Sequence, residues 1–134
     1  GYTVAKYILG KLYLRGEDVP KQMLHALHWL ESAVQDDNQY AEYLLGKVLL
    51  KGEDVERDTD RAESLLHRSS EQSNKYAAYT LGMAYLDGDI LAQSIDEAVR
   101  LLNLSASKNF APAQFILGRL LYKGEVIWCF SKSL

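Results

Sequence analysis

Ala5, Ile8, Leu9, Leu12 and Tyr13 recur at steps of three and four, which places them on one stripe of a helix over 4–15. Further on, Met23, Ala26, Trp29, Leu30 and Ala33 draw a second stripe over 22–35. This pair, helix A then helix B, is then said again. The stretch "LGKLYLRGEDV" at 9–19 returns as "LGKVLLKGEDV" at 45–55, "LGMAYLDGDIL" at 81–91 and "LGRLLYKGEVI" at 117–127, each copy 36 residues after the last. A fixed period of this size is the signature of stacked supersecondary units that share one interior. The expectation is a single all-α helical-repeat domain over 1–134. Its repeats fall at about 3–38, 39–74 and 75–110, with a half repeat at 111–124 and an atypical tail at 125–134.

Small residues keep the same clock. Apart from Gly1, every glycine belongs to the series Gly10, Gly46, Gly82, Gly118 or to the series Gly16, Gly52, Gly88, Gly124. Alanine does the same at Ala5, Ala41, Ala77, Ala113 and at Ala26, Ala62, Ala98. The second glycine series sits just past each helix A, where a left-handed residue ends a helix. The first lies in mid-helix, at a cost of about 1 kcal/mol relative to alanine, so close approach must compensate it. The expected arrangement has helix B of the same unit crossing the glycine backbone to backbone, with Ala26, Ala62 and Ala98 as the matching flat spots. Asp58 and Ser94 align as N-caps of helix B, "SIDE" at 94–97 reads as a capping box, and Gln22 is a weaker cap.

Bulk properties narrow the function classes. At 134 residues, with 48% hydrophobic and 25% charged residues, the composition is that of an ordinary globular chain. A net charge of -3 and a pI near 5.6 oppose polyanion binding through the overall field, and no basic run appears, so no direct nucleic-acid contact is expected. No apolar segment approaches the roughly 20 residues that span a bilayer, and a secretion signal's basic start and apolar core are missing. Cys129, the only cysteine, cannot form an internal disulfide and fits a reducing compartment. A cytoplasmic location, without membrane contact, is the expectation.

In "AEYLLGKVLLKGEDV" (41–55), "DRAESLL" (60–66) and "NKYAAYTLG" (74–82) the order of alanine, leucine-glycine, tyrosine, loop glycine and second-helix alanine resembles the Sel-one-like repeat, a relative of the tetratricopeptide repeat. The likeness covers residues 3 to about 125. It implies a right-handed α-solenoid of antiparallel helix pairs, about three and a half repeats long, whose members serve as adaptors or scaffolds and share no catalytic residues. With one cysteine the chain resembles the cysteine-poor bacterial kind. Its ending, "EVIWCFSKSL", departs from the family pattern. Val126, Ile127, Trp128 and Phe130 are expected to fold back over the last half repeat as a cap; the alternative is an apolar patch that forms a homodimer or docks a neighbour.

The same resemblance places helix A on the concave side, and carrying that register over gives rows of candidate contacts. One row is aromatic: Tyr7, Tyr43, Tyr79 and Phe115, with Tyr40 and Tyr76 at the edge. The next is Lys11, Lys47, Met83 and Arg119, and the third Arg15, Lys51, Asp87 and Lys123. Aromatic surface beside cations suits an extended peptide with acidic side chains or a terminal carboxylate, so a non-catalytic protein-binding groove is the expected function. The rings also suit helix packing. Glu17, Asp18, Glu53, Asp54 and Asp89 would form an acidic rim that serves solubility.

Chemistry is otherwise thin. His25, His28 and Glu31 are spaced to share a metal, but their later counterparts Arg61, Ser64, Glu97 and Arg100 mark a solvated face. Cys129 has no histidine in the last two units to act as base. No catalytic residue, cofactor or metal is expected. Two rivals to the adaptor are a C-terminal repeat tail of a larger protein, such as a bacterial mobilisation protein, and a β-lactam-binding or hydrolysing enzyme of the cysteine-rich branch.

Overall fold

The computed structural model describes residues 2–16, 22–53 and 55–123. Gly124, the acidic residues Glu17, Asp18 and Asp54, and the tail with Val126, Ile127, Trp128, Cys129 and Phe130 lie outside them. Among the described residues there are seven helices and no strand. The chain forms two compact units, the first ending at Gln72 and the second beginning at Ser73. The first holds α1 (Tyr2–Arg15), α2 (Met23–Gln35), α3 (Gln39–Lys51) and α4 (Thr59–Glu71). The second holds α5 (Lys75–Asp87), α6 (Ile95–Ser107) and α7 (Ala111–Lys123). The A and B helices are therefore α1/α2, α3/α4 and α5/α6, with α7 a further helix A.

Each A/B pair is antiparallel, as its end contacts show. At the closed end of α1/α2, Gln22 N–H donates to the Tyr13 carbonyl, while at the open end Thr3 Oγ1 and Lys6 Nζ donate to Asp36 Oδ2 at 3.1 and 2.8 Å. The same stitches recur one period later, with Asp58 N–H on Leu49 O and Ser69 Oγ on Gln39 O. In the second unit they are Ser94 N–H on Tyr85 O and Ser105 Oγ on Lys75 O. Buried Ser69 and Ser105 thus spend their hydroxyls on the first carbonyls of the facing helix.

Helix ends follow the sequence signals in part. Gly16, Gly52 and Gly88 stand at φ 70°, 65° and 67°, the left-handed caps expected of them. Asp58 and Ser94 accept from the N–H groups of Arg61 and Glu97. Gln22 makes no side-chain cap. The capping box of α6 is only half closed, because Glu97 turns to Arg100 and the Ser94 N–H goes to Tyr85. Caps that the sequence reading passed over are Asn38 and Asn74, whose Oδ1 atoms each accept at 2.9 Å from Ala41 and Ala77 N–H. The B-to-A turn hides a second left-handed series, Asp37, Ser73 and Asn109, at φ 60°, 66° and 63°. Asn38 and Asp37 N–H donate to Ala33 and Val34 O, a Schellman motif built without glycine.

Mid-helix glycines do admit close approach, but the expected bare backbone crossing is corrected. A Cβ on Gly10 would lie 2.8 Å from Leu30 Cγ, one on Gly46 2.9 Å from Leu66 Cγ, and one on Gly82 3.1 Å from Leu102 Cγ. Each glycine is a socket for one leucine of its own helix B. The facing backbone is also near, with Ala62 O 3.3 Å from the Gly46 Cβ position. Those three leucines are fully buried, as are Ala26, Ala62 and Ala98. In the first unit Leu30, Ala33, Val34, Ala41, Leu45 and Leu65 form one core cluster; in the second the cluster is Val99, Leu102, Ala113, Leu117 and Leu120.

Gly46→Ala is expected to lower stability by about 1–3 kcal/mol through overpacking against Leu66, despite alanine's better helix propensity. Gly118→Ala, whose Cβ would meet nothing within 4 Å, is expected to raise it by up to about 1 kcal/mol. Thermal and urea unfolding of the two variants check this opposite sign. At the left-handed turn, Ser73→Gly should stabilise by about 0.5–1 kcal/mol, since only glycine avoids the Cβ clash there.

Candidate functional site

A residue four places along a helix lies over its predecessor. Tyr7 and Lys11 therefore meet on α1, with the ammonium 5.8 Å from the ring centroid, and Tyr43 and Lys47 repeat that distance on α3. Phe115 and Arg119 do so on α7, also at 5.8 Å. These separations fall within cation–π range.

In the first unit Tyr7 also packs its ring on Tyr40, with centroids 5.8 Å apart. Tyr7 contacts the core cluster as well, so this row serves packing on one side and stays half-exposed on the other. Lys11 and Lys47 meet no carboxylate within ion-pair distance among the described residues; their partners are the rings. Arg15 and Lys51 lie exposed in the last turns of their helices, and the Lys51 carbonyl accepts from Arg57 Nη2.

The two arginines of α4 are neutralised. Arg61 forms a two-pronged ion pair with Glu31. Arg68 donates to Asp37 Oδ1 at 2.9 Å, and its Nε lies 3.1 Å from Glu42 Oε2 as a charge contact without hydrogen-bond geometry. The His25, His28 and Glu31 trio is dispersed among other partners: His25 stacks on Tyr13, His28 sits edge-on to Trp29, and Glu31 belongs to Arg61.

The second unit differs. Phe110 holds the place that Asn38 and Asn74 occupy before the other A helices, and it stands edge-on between Tyr76 and Tyr79 at 5.3 and 5.2 Å. Lys75 Nζ lies 5.4 Å from the Tyr76 ring. Sequence reasoning missed Phe110 and Lys75; the break in the asparagine period was the available signal. Tyr79 also touches that unit's core. Met83 and Arg119, from the second predicted row, line one cleft of about 290 Å³, together with Asp87 and the apolar Leu86, Ile95, Ile116 and Leu120. Lys123 ends α7, and its side chain lies outside the described residues. Of the acidic rim, Glu53 and Asp89 are exposed.

Family models of known repeats match the chain four times, at 3–38, 39–74, 75–110 and 111–128, each time as a Sel1 repeat. This chain belongs to the Sel1 repeat family. Among solved structures, its fold is similar to the protective antigen c5321 of uropathogenic Escherichia coli, which displays an SLR fold. The TM-score is 0.84 at 27% identity, over 92% of this chain and 27% of that one. A Sel1 repeat protein from Oxalobacter formigenes is similar at a TM-score of 0.79 and 27% identity, over 88% of this chain and 48% of that one. The chain thus spans about a quarter and about half of these two relatives. No curated protein sequence matches it. In class the fold is an α-solenoid of 36-residue helix pairs, and Sel1 repeats are commonly non-catalytic protein-interaction modules. No described helix is long and apolar enough to cross a membrane.

Among the described residues of this Sel1 array, one carboxylate is fully buried. Glu42 accepts from Gln72 Nε2 at 2.8 Å through Oε1. Burial pushes its carboxyl above the usual range, the Arg68 charge pulls it back, and Asp37 adds to the rise. A raised carboxyl means the folded chain holds the proton more tightly than the unfolded one. Its stabilising contribution is therefore complete below the ordinary value of 4.5 and is lost as pH climbs through the folded value. Asp36 acts in the opposite sense: hydrogen bonds from Lys6 and then Thr3 hold it down, so its contribution is lost only in acid. The difference in unfolding free energy between the parent chain and Glu42→Gln should accordingly fall from pH 4.5 to neutrality. Urea titrations across that range check it, and a flat difference would remove the effect.

Proposed function

We propose that the chain is a non-catalytic protein-binding module whose A-helix face takes an extended acidic peptide segment. The observation that supports this most is local to the first unit. Among the described residues Lys11 and Lys47 lie beside aromatic rings and away from any carboxylate, whereas Arg61 and Arg68 on α4 are paired with acids. An ammonium beside a ring keeps donors free for a carboxylate, and the flat tyrosine offers apolar contact at little entropic cost. Recognition would centre on Tyr7, Lys11, Arg15, Tyr40, Tyr43, Lys47 and Lys51. In the second unit Met83 and Asp87 replace two of the cations, so Tyr76, Tyr79, Phe115, Arg119 and Lys123 would add apolar contact with less charge.

Binding of a labelled glutamate-rich peptide, followed by fluorescence anisotropy, tests the reading. Lys11→Glu with Lys47→Glu should weaken it by about tenfold or more while leaving the thermal midpoint near that of the parent. Affinity should also fall with added salt. Equal binding by parent and double variant rejects this face as the contact.

A further inference from the structure

The cleft of about 290 Å³ lies wholly inside the second unit, between α5, the start of α6 and α7. Met83, Leu86, Ile95 and Ile116 line it, and all four pack against the core cluster that contains Leu120, a fifth lining residue at 7% exposure. Its loop side is tied down as well: Gln93 Nε2 donates to the Leu86 carbonyl at 2.9 Å, and Ser94 N–H donates to Tyr85 O. The cleft is thus formed by packed helices before any ligand arrives, which lowers the ordering cost of binding. Chain running on past α7 in the same pattern would leave it open. At Gly10, Gly46 and Gly82 the glycine side of helix A receives the leucine of its helix B, and Leu120 stands about 200° round the helix from Gly118.

Two exposed charges also line the cleft, Asp87 at the end of α5 and Arg119 on α7. Among the described residues Asp87 meets no cation within ion-pair distance, and Arg119 lies over the Phe115 ring without a carboxylate. Asp87 stands against the helix dipole, because the last turn of a helix favours a cation and disfavours an acid. Arg15 and Lys51 hold the same place on α1 and α3 and follow that rule, whereas α5 has no basic residue in its last turn. Folding gains nothing from the acid at this point. The counterparts of Met83, Asp87 and Arg119 in the first unit are Lys11, Arg15 and Lys47, three cations. A cationic ligand that those residues would repel meets a carboxylate at Asp87.

We infer that this cleft is a separate binding site for a peptide that carries a long apolar side chain next to a lysine or arginine. The apolar side chain enters between Met83, Ile95 and Ile116, and the neighbouring cation pairs with Asp87. Arg119 repels that cation from the α7 side and so sets which way the peptide lies. Ligand pockets begin at about 300 Å³, so a cleft of this volume suits a single residue better than a cofactor. The site does not rest on the Lys11 and Lys47 row and asks for a ligand of the opposite charge.

The probe is a labelled glycine-serine peptide with leucine-lysine-lysine at its centre, titrated into the whole chain and followed by anisotropy, with sedimentation for the mass of the complex. Saturable binding is expected. Asp87→Lys, which restores the first unit's cation, should weaken it by about tenfold or more, and the thermal midpoint should hold or rise because a cation suits the end of α5. Loss of binding without loss of stability separates a ligand contact from a structural role. Asp87→Asn should weaken binding by a smaller factor, since it removes the attraction without adding repulsion. Serine in place of the probe's leucine should also weaken it by about tenfold or more. Absence of saturation at millimolar probe overturns the inference, as does equal binding by Asp87→Lys. Equal binding of the serine probe overturns it too, since charge alone would then be the attraction. A chain that self-associates and is returned to monomer by Asp87→Lys overturns it in favour of a second copy as occupant.

Discussion

A leucine seated where a side chain is missing governs this fold. Leu30, Leu66 and Leu102 each enter the space that a Cβ on Gly10, Gly46 or Gly82 would fill. One contact does three jobs. It brings the two helices of a pair nearer than side chains on both would allow, it fixes where along each helix they cross, and it fixes their rotation. Interior packing is dense enough that an added methyl is felt, so the glycine cannot drift to alanine without moving its leucine. The cost of glycine in mid-helix, about 1 kcal/mol, is offset by a fully buried leucine, whose transfer from water contributes roughly 1.5–3 kcal/mol.

Rotation fixed in this way distributes the remaining chemistry. With Gly10 against α2, Tyr7 has one edge in the core and the other half exposed, and Lys11 one turn later stays outside, over the ring. Helix B receives the opposite treatment, its arginines lying along carboxylates at Glu31, Asp37 and Glu42. Two cation sets in one unit thus differ in availability. Exposed ion pairs contribute little to stability, but they do remove those arginines as sites for an acidic partner. The difference between the helices is which cations already have a carboxylate partner.

Much of this was legible in residue spacing. Two glycine series, alanine on the same clock and the caps Asp58 and Ser94 mark where each helix pair begins, crosses and turns, because each of those roles admits few side chains. What escaped was decided by partners distant in sequence or by backbone alone. A mid-helix glycine announces close approach without saying what approaches, so leucine was mistaken for bare backbone. Asp37, Ser73 and Asn109 are left-handed though unlike one another in chemistry, and no single residue type flags the position. Asn38 and Asn74 stand 36 residues apart, yet they precede helices whose first turns were read mainly for apolar content. Of the candidate face, the tyrosine and lysine rows were readable, since four residues on a helix bring side chains together. The aromatic cluster around Phe110 was not, because Phe110 joins rings more than thirty residues away.

Repeats within one chain also separate what folding demands from what it tolerates. Positions that place a leucine in a glycine socket keep their residues through three pairs, whereas the position one turn into helix A reads Lys6, Glu42, Ala78 and Gln114. Lys6 reaches Asp36, Glu42 reaches Gln72 and Arg68, and Ala78 is simply buried, so three chemistries satisfy the same geometric role. The cation four residues after the aromatic lies between these extremes: Lys11, Lys47 and Arg119 keep it, and Met83 gives it up where the neighbouring surface becomes a cleft of mixed polar and apolar lining. Met83 packs against the core cluster of its unit, whereas Lys11, Lys47 and Arg119 lie over rings. A charge retained at three of four such places is therefore a property of the surface the helices present, and the two units present different surfaces built on one packing rule.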